Sequence, residues 1–472
     1  MTRQPQPTHP ETTMSTSPKD ARFDLVISGG TVVSSIGRFK ADVGVRGERI
    51  AAVGEGLATA GAAVVDASGC YVLPGAVDAH VHPVHAETLA TTSEAAAFGG
   101  VTTMLHFIYV ESNSGLVESL QAAREEGEAT SLLDFGLHAR LTEVPRRLAE
   151  LPAAVEMGVR SFKLFTAYRS RGIMTEDRDL FRAMECIAGL NGLTMVHAEN
   201  GSVIELLEER YRAKGHTRAE DYPLTRPPDA EAEAVNRVAM LARLARSPLY
   251  IVHISCAEAL AALVAARARG QEVYAETCPH YLTLTADEAM PRFGTRAKIA
   301  PPLRTQADVA ELWRALEDGR VDVVGSDHSA FAEEEKTSPQ GDVFAVGFGA
   351  PGIETMLPLL YEEGVNQGRI TLERLVAVLA EAPARVFGLP RKGGVVPGKD
   401  ADLVIFDPAG TKTFSDDDLH GRAYYTLYAG RTVHGVPRTV LQRGKKIVHQ
   451  GRLVARAGQG RFVPAKPARS KA

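Results

Sequence analysis

Hydrophobic and polar residues alternate along both ends of this chain, which is the pattern of short strands with one buried face. The alternation is seen in segments 23–27 and 50–53, and it returns in segments 401–406 and 439–444. Glycines between such runs predict antiparallel hairpins. Because similar material opens and closes the chain, we expect one small β-sandwich domain that is built from both ends.

The middle of the chain has a different pattern, in which short apolar runs alternate with segments rich in alanine and leucine. A short apolar run is typical of a strand that is buried in a parallel sheet, whereas segments 230–245 and 257–268 resemble helices. Eight strands that alternate with helices predict a (β/α)₈ TIM barrel. The predicted strands are 72–82, 102–107, 133–141, 161–166, 193–199, 249–255, 272–277 and 321–326.

These patterns divide the chain into segments. The first 20 residues are rich in Pro, Thr and Ser and contain no apolar core, so they predict a disordered tail and not a signal peptide. No apolar run approaches the roughly 20 residues of a membrane helix. The predicted segments are a disordered tail (1–21), the N-terminal part of the β domain (22–73), the barrel (74–393), the C-terminal part of the β domain (394–457) and a loose tail (458–472).

Composition and charge narrow the function classes. The chain has 472 residues, 44% hydrophobic and 24% charged, which is typical of a globular protein with more than one core. A net charge of -5 argues against nucleic acid as the main partner. Cys70, Cys186, Cys256 and Cys278 are scattered and form no C-x-x-C pair, so we expect no disulfide framework and a reducing, cytoplasmic setting.

Side chains that can bind metal stand at the ends of five of the eight predicted strands. In a (β/α)₈ barrel, the chemistry lies at the C-terminal ends of the strands. A single strand histidine is more often a hydrogen-bonded core residue, Lys163 alone would reach solvent, and Asp327 alone would cap a helix. Packing does not explain why five strands carry such groups at the same end. They are His80 and His82 on the first strand, Lys163 on the fourth, His197 on the fifth, His253 on the sixth and Asp327 on the eighth.

These residue types suit a pair of divalent metal ions. His80 and His82 are two residues apart, so in an extended strand they point to the same face and can hold one ion. Imidazoles and carboxylates are ligands for zinc, and two ions about 3.5–4 Å apart can share a hydroxide and polarise a carbonyl. Such a pair of ions needs a bridging carboxylate. The position from which a carboxylate would bridge them, on the fourth strand, is occupied by Lys163. A buried lysine has a lowered pKa, so its neutral amine can add carbon dioxide and become a bridging carbamate.

The motifs resemble those of the amidohydrolase superfamily, and within it the dihydropyrimidinase and hydantoinase group of cyclic amidases. The resemblance extends from about residue 23 to residue 454. Together the motifs are specific for the superfamily and less specific for a substrate. They are Leu73-Pro74-Gly75, the pair His80 and His82, Phe162-Lys163, His197-Ala198-Glu199, APPLR (300–304), GSDH (325–328), GIE (352–354) and PGKDADL (397–403).

The resemblance implies a ligand set for two ions, Zn²⁺ or alternatively Mn²⁺. His80, His82 and Asp327 would hold one ion. His197 and His253 would hold the other, and N6-carboxylated Lys163 would bridge the two.

The resemblance also implies catalytic roles. A bridging hydroxide would attack the ring amide carbonyl, and Asp327 would pass its proton to the leaving nitrogen. Tyr168 occupies the family's tyrosine position shortly after Lys163 and would stabilise the oxyanion. Considered without the resemblance, Tyr168 is also compatible with a loop aromatic that packs on the barrel rim.

Four positions distinguish the relatives. Dihydroorotase-type enzymes have an arginine where this chain has Val84, which disfavours an acidic pyrimidine, and allantoinases usually lack the tyrosine that Tyr168 represents. Ala300 and Phe348 replace the serine and asparagine that are usual on the substrate side. We therefore expect Tyr168, Ala300 and Phe348 to contact a 5-substituted hydantoin with an apolar side chain, or a 5,6-dihydropyrimidine.

Other functions remain open from the sequence. An allantoinase or another cyclic-ureide hydrolase would use the same ligands. A metal-free protein-interaction scaffold is disfavoured because all six metal-ligand residues are present. The family usually forms tetramers or dimers, so we expect a homo-oligomer that acts on a small molecule and binds neither nucleic acid nor membrane.

Overall fold

A computed structural model describes residues 22–337 and 341–467. The predicted N-terminal tail, 1–21, and the last part of the predicted C-terminal tail, 468–472, lie outside the described residues.

The N-terminal part of the chain forms short strands, as the alternating pattern predicts. Strands β1, β4, β5 and β6 form a four-stranded sheet in the order β5-β4-β1-β6, while β2, β3 and β7 join a second sheet. The strands are β1 (Leu25–Ser28), β2 (Thr31–Ser34), β3 (Gly37–Lys40), β4 (Asp42–Arg46), β5 (Arg49–Gly54), β6 (Ala63–Asp66) and β7 (Tyr71–Pro74).

The middle of the chain forms a closed parallel barrel, which confirms the predicted (β/α)₈ fold. Each neighbouring pair of strands is parallel. The eighth strand is divided, because β15 pairs with β14 and β16 pairs with β8 to close the ring. The strands are β8 (Ala76–His82), β9 (Val101–Ile108), β10 (Asp134–Arg140), β11 (Ser161–Phe165), β12 (Leu193–His197), β13 (Leu249–Ile251), β14 (Val273–Thr277), β15 (Val323–Val324) and β16 (His328–Ser329).

Helices follow the barrel strands and cover their outer faces. None of the described helices is long and apolar enough to span a bilayer. The α-helices are α1 (Leu89–Phe98), α2 (Leu116–Thr130), α3 (Val144–Arg147), α4 (Leu151–Glu156), α5 (Asp177–Gly189), α6 (Gly201–Ala213), α7 (Pro228–Ala245), α8 (Ala257–Ala268), α9 (Pro279–Thr283), α10 (Ala286–Phe293), α11 (Gln306–Asp318), α12 (Met356–Leu360), α13 (Leu372–Val376) and α14 (Ala382–Val386).

The C-terminal strands complete the small domain. They are β17 (Leu403–Thr413), β18 (Thr432–Gln442), β19 (Lys445–His449) and β20 (Arg452–Leu453). With the early strands they form a seven-stranded sheet in the order β20-β19-β18-β17-β7-β2-β3. Ile27 and Val43 of the first sheet pack with Val72 and Leu403 of the second in one buried cluster. The predicted β domain from both chain ends is therefore confirmed, while its predicted boundaries stay predictions.

The chain passes directly from the β domain into the barrel at Gly75, between β7 and β8. The Gly75 amide donates to the Asp402 carbonyl over 2.9 Å. A Cβ at this position would lie 2.1 Å from Thr102 Oγ1. Only glycine fits this close approach, so the β domain lies against the N-terminal side of the strand that carries the first two histidines.

The expectation of a loose tail from residue 458 is wrong for the described part of that segment. The Arg461 carbonyl accepts from the Phe135 amide over 3.0 Å, and the Val463 amide donates to the Phe135 carbonyl over 2.7 Å. The Lys466 amide donates to the Gly388 carbonyl over 2.8 Å. Backbone hydrogen bonds do not depend on side-chain composition, so a basic segment that contains prolines gave no sign of this docking.

A buried ion cluster joins the β domain to the barrel. Lys392 Nζ lies 2.5 Å from an Asp134 carboxylate oxygen, 2.7 Å from Asp402 Oδ2 and 3.1 Å from Asp400 Oδ2. Arg443 also pairs with Asp134. All three carboxylates and Lys392 are buried, so the cluster depends on its cations.

We expect Lys392→Ala to lower the free energy of unfolding by roughly 3–5 kcal/mol, because the change leaves buried carboxylates without their central cation. The measurement is denaturant unfolding followed by circular dichroism. Arg391→Ala is the matched control: the exposed Arg391 side chain lies 3.6 Å from Asp400, and a surface pair contributes about 0–1 kcal/mol. Equal losses in the two variants would contradict a structural role for the buried cluster.

Candidate metal centre

The structure brings all six predicted ligand residues to one mouth of the barrel. They line a cavity of about 190 Å³, together with the predicted substrate contacts Tyr168, Ala300 and Phe348. Each ligand residue lies within two residues of the C-terminal end of its strand or just beyond it, as the fold requires. The ligand residues are His80 and His82 (β8), Lys163 (β11), His197 (β12), His253 (after β13) and Asp327 (between β15 and β16).

Three ligand atoms converge in the first half of the site. His80 Nε2 lies 3.0 Å and His82 Nε2 lies 3.4 Å from Asp327 Oδ1. The two Nε2 atoms are 3.2 Å apart. The alternation of side chains in β8 places both imidazoles on the same face, and the break in the eighth strand turns Asp327 towards them.

The outer nitrogens of these imidazoles have partners that orient the rings. His80 Nδ1 lies 2.6 Å from the buried carboxylate of Glu276, and His82 Nδ1 lies 2.9 Å from the Tyr109 hydroxyl. A proton on His80 Nδ1 that is donated to Glu276 leaves a lone pair on Nε2, as in many metal sites. The orientation of His80 is therefore set from behind by a carboxylate.

Such a cluster needs a positive charge at its centre. Burial lowers the pKa of His80, but Glu276 and Asp327 outweigh this effect and raise it to about 9. Burial lowers the pKa of His82 to about 4. Burial opposes the charge on Asp327, yet His80 and His82 hold the pKa of this carboxyl well below its usual value. A proton on His80 or a divalent cation between the three atoms supplies the missing charge, and the donor set suits a divalent cation.

The second half of the site contains two neutral imidazoles. His197 Nδ1 lies 2.9 Å from His253 Nε2, and burial lowers the pKa of both residues. His197 Nε2 lies 2.7 Å from Glu199 Oε2, and Arg226 holds the same carboxylate at 2.6 Å. The Glu199 carboxylate accepts from Nε2 and so directs Nδ1 of His197 inward, where it faces His253.

Lys163 lies at the same mouth, and its Nζ has only aromatic neighbours among the described contacts. Nζ is 5.1 Å from the centre of the Phe107 ring and 5.3 Å from that of Phe165. Burial lowers the pKa of Lys163 to about 7. A large part of the side chain is therefore a neutral amine near neutral pH, which is the form that reacts with carbon dioxide.

Three residues of the site have a strained backbone. The φ angles are 47° for Asp327, 40° for His253 and 70° for Tyr168. Residues other than glycine rarely occupy this left-handed region, and each such residue costs about 1–3 kcal/mol. Strain of this kind is concentrated at active sites, and here it turns the side chains at the strand ends into one cavity.

The predicted substrate contacts form one wall of the cavity. The Tyr168 ring is stacked on Phe348 with centroids 4.9 Å apart and planes inclined by 11°. Ala300 belongs to the same apolar cluster. Burial raises the pKa of Tyr168 well above its usual value, so its hydroxyl stays a hydrogen-bond donor. Arg226 Nη2 lies 3.5 Å from that hydroxyl.

Sequence reasoning missed several residues of the site. Glu276 is the penultimate residue of β14, and a carboxylate in a largely apolar strand was a signal that was available. Tyr109, Arg140 and Arg171 also line the cavity, but no motif marks them. Cys278 and His280 offer ligand atoms that lie within 4.8 Å of Asp327 and of each other.

Comparisons with known proteins agree with this geometry. The chain is 39% identical over 454 residues to the D-hydantoinase of Rhizobium radiobacter, covering 93% of this chain and 98% of that protein. It is 35% identical to the D-phenylhydantoinase of Escherichia coli O17:K52:H18, covering 94% and 98%. The crystal structure of dihydropyrimidinase from Brevibacillus agri NCHU1002 superposes with a TM-score of 0.90 at 36% identity, covering 94% of this chain and 99% of that chain.

The match to a family model defines the membership of the chain. Residues 71–447 match the model of the Amidohydrolase family. The matched range contains the whole barrel with all six ligand residues, and most of the C-terminal strands. This chain is a member of the amidohydrolase family.

Proposed function

We propose that this protein is a binuclear-metal hydrolase that opens the rings of 5-substituted hydantoins or 5,6-dihydropyrimidines to N-carbamoyl amino acids. The convergence of His80, His82 and Asp327 on one point, 3.0–3.4 Å apart, is the observation that carries this proposal. The relatives named D-hydantoinase and D-phenylhydantoinase support the choice of a cyclic amide as substrate.

The proposed ligand set follows the two halves of the site. His80, His82 and Asp327 would hold one ion, Zn²⁺ or Mn²⁺, and His197 and His253 would hold the other. Carboxylated Lys163 would bridge them. When bound, the two ions would supply an activated water and polarise the scissile carbonyl.

The protein's own residues then move the proton of the attacking water and stabilise the negative charge of the tetrahedral intermediate. The Asp327 carboxylate accepts the proton of the attacking water and delivers it to the leaving ring nitrogen, so that water adds across the amide C–N bond. Its lowered pKa keeps the Asp327 carboxyl ionised, and an ionised carboxylate has a free lone pair for the proton. The Tyr168 hydroxyl donates to the oxygen that becomes negative in the tetrahedral intermediate.

Two further proposals concern the setting of the enzyme. The four cysteines are free in the structure, which supports a reducing, cytoplasmic location. A homo-oligomer, either a dimer or a tetramer, is proposed from the family resemblance, and light scattering after gel filtration measures it directly.

The substrate class is tested by ring opening of a panel with zinc- or manganese-loaded protein. The panel is dihydrouracil, hydantoin, 5-phenylhydantoin, allantoin and dihydroorotate, and loss of ring absorbance and product mass are followed. We expect turnover of the hydantoins or of dihydrouracil. Turnover of allantoin alone would indicate an allantoinase, and no turnover by protein with two bound ions would exclude the substrate class.

We expect Lys163→Ala to lose bound metal and activity, because the carbamate bridge cannot form. Short carboxylic acids should restore part of the activity, since they can occupy the space of the carbamate. Metal content is measured by elemental analysis and activity by ring opening. Full activity without added acid would remove the bridging role.

We expect Tyr168→Phe to lower kcat by about 10²-fold or more, the usual effect of losing one oxyanion donor. The Phe348 stack remains possible with phenylalanine, so the fold should be unchanged by circular dichroism. An unchanged kcat would assign Tyr168 to packing alone.

We expect Glu276→Gln to weaken metal binding by about 10–100-fold, because the carboxylate that orients the His80 ring is lost. The measurement is competition for the metal with a chelator of known affinity. Tyr250→Phe is the control, since it removes only the hydroxyl that donates to Glu276 Oε2 over 2.7 Å. Equal metal affinity in the Glu276→Gln variant and the unchanged protein would contradict the proposed support of His80.

A further inference from the structure

Two arginines line the cavity without a carboxylate partner. They are Arg140 at the end of β10 and Arg171 in the turn Arg169–Arg171. Among residues 22–337 and 341–467, no Asp or Glu lies within ion-pair distance of either guanidinium. Arg226, behind the same wall, is by contrast paired with both Glu199 and Glu208.

Arg140 lies next to the metal centre. Its guanidinium carbon is 4.6 Å from the centre of the Tyr109 ring and 5.3 Å from that of Phe165. The Tyr109 hydroxyl contacts His82 Nδ1 at 2.9 Å. The Arg140 Nε atom is buried and has no hydrogen-bond partner among the described residues. A buried donor without a protein partner is free to bind a ligand or a water molecule.

Arg171 lies nearer the mouth and is exposed. Its guanidinium carbon is 4.2 Å from the centre of the Phe348 ring, which in turn is stacked on Tyr168. The Arg171 amide donates to the Tyr168 carbonyl over 3.1 Å. The guanidinium is thus supported on an aromatic face, and the turn that carries it is attached to the proposed oxyanion donor.

The two cations influence each other across the cavity. Burial lowers the pKa of Arg140, and the positive charge of Arg171 lowers it further, while Tyr109 and Glu111 act in the opposite direction. The Glu335 carboxylate lies 3.4 Å from Nδ1 of His85, a residue that also lines the cavity. Two like charges that face one low-dielectric cavity repel each other, and divalent ions at the centre would add to the positive potential. A ligand with a negative charge relieves this repulsion.

We propose that Arg140 and Arg171 bind a carboxylate on the ring substituent, so that the preferred substrate is a cyclic ureide with an acidic side arm, such as 5-(2-carboxyethyl)hydantoin. This inference rests on the proposed function and names its substrate class. An acidic substituent on the substrate takes the place of the apolar substituent that Ala300 and Phe348 led us to expect from the sequence. The reason is that the Phe348 ring supports a guanidinium. The absence of an arginine at Val84 does not conflict with it, since the two cations come from other strands and loops.

The test compares 5-(2-carboxyethyl)hydantoin with 5-(2-carbamoylethyl)hydantoin, which has the same shape and no charge. We expect kcat/KM for the acid to be higher by about tenfold or more, the factor that one charge-assisted hydrogen bond supplies. The preference should appear in KM and should decrease as salt is added.

Variants assign the preference to the two arginines. Arg171→Gln should reduce the preference by about tenfold, and because Arg171 is exposed the fold should be unchanged by circular dichroism. Arg140→Gln should also reduce the preference for the acid, with a larger increase in KM for the acid than in Arg171→Gln. Arg169→Gln is the matched control: it lies in the same turn, is exposed and pairs with Glu176 at 2.6 Å, so the preference should persist.

The outcomes separate this inference from the proposed function. Turnover of both hydantoins with no preference for the acid, or a preference that survives in Arg171→Gln and Arg140→Gln, would overturn the inference and keep the function. No turnover of either compound would reject the function.

In that case the anion site is tested by calorimetric binding of N-carbamoylglutamate and N-carbamoylglutamine. Tighter binding of the dianion that is lost in Arg171→Gln supports the anion site, and equal binding of the two compounds overturns it.

Discussion

The structure depends on one electrostatic constraint, which is that the ring nitrogens of two histidines and a carboxylate oxygen share one point at the barrel mouth. His80, His82 and Asp327 lie too close together to be stable without a positive charge between them. Two carboxylates set the orientation of imidazoles from the protein side: Glu276 contacts Nδ1 of His80, and Glu199 contacts Nε2 of His197. The surrounding barrel buries His80 and Glu276 almost completely, so their interaction acts in a lower dielectric than bulk water.

The break in the eighth strand serves the same constraint. A continuous strand would direct Asp327 along the barrel wall, whereas the observed φ of 47° turns it towards the histidines. The next residue, His328, anchors the turned segment, because its Nε2 lies 2.8 Å from Glu87 Oε2 and its Nδ1 accepts from the Gly352 amide over 3.1 Å. Barrel closure and placement of the proposed base are therefore one structural feature.

The cavity wall beside His197 combines apolar and cationic character. Tyr168, Phe348 and Arg171 form a continuous stack, so the Phe348 ring both lines the cavity and supports a charge. The chemistry of the ring opening and the choice of ring substituent are thus carried by different side chains. This separation lets relatives keep one reaction while they differ in substrate.

The sequence by itself determined the fold class and all six candidate ligands, because a buried parallel strand has a recognisable apolar pattern and its C-terminal end is where a barrel carries its polar groups. His80, His197, His253 and Asp327 each follow such a run, and Lys163 lies within one. It did not determine the partners of those ligands, the docking of residues 460–467 on the barrel, or the presence of Arg140 and Arg171 in one cavity. These contacts join residues far apart in the chain, and their distances depend on barrel closure and on backbone turns such as that at Asp327. Local patterns report which side of a strand is buried; only the tertiary structure decides which charges are left without a partner.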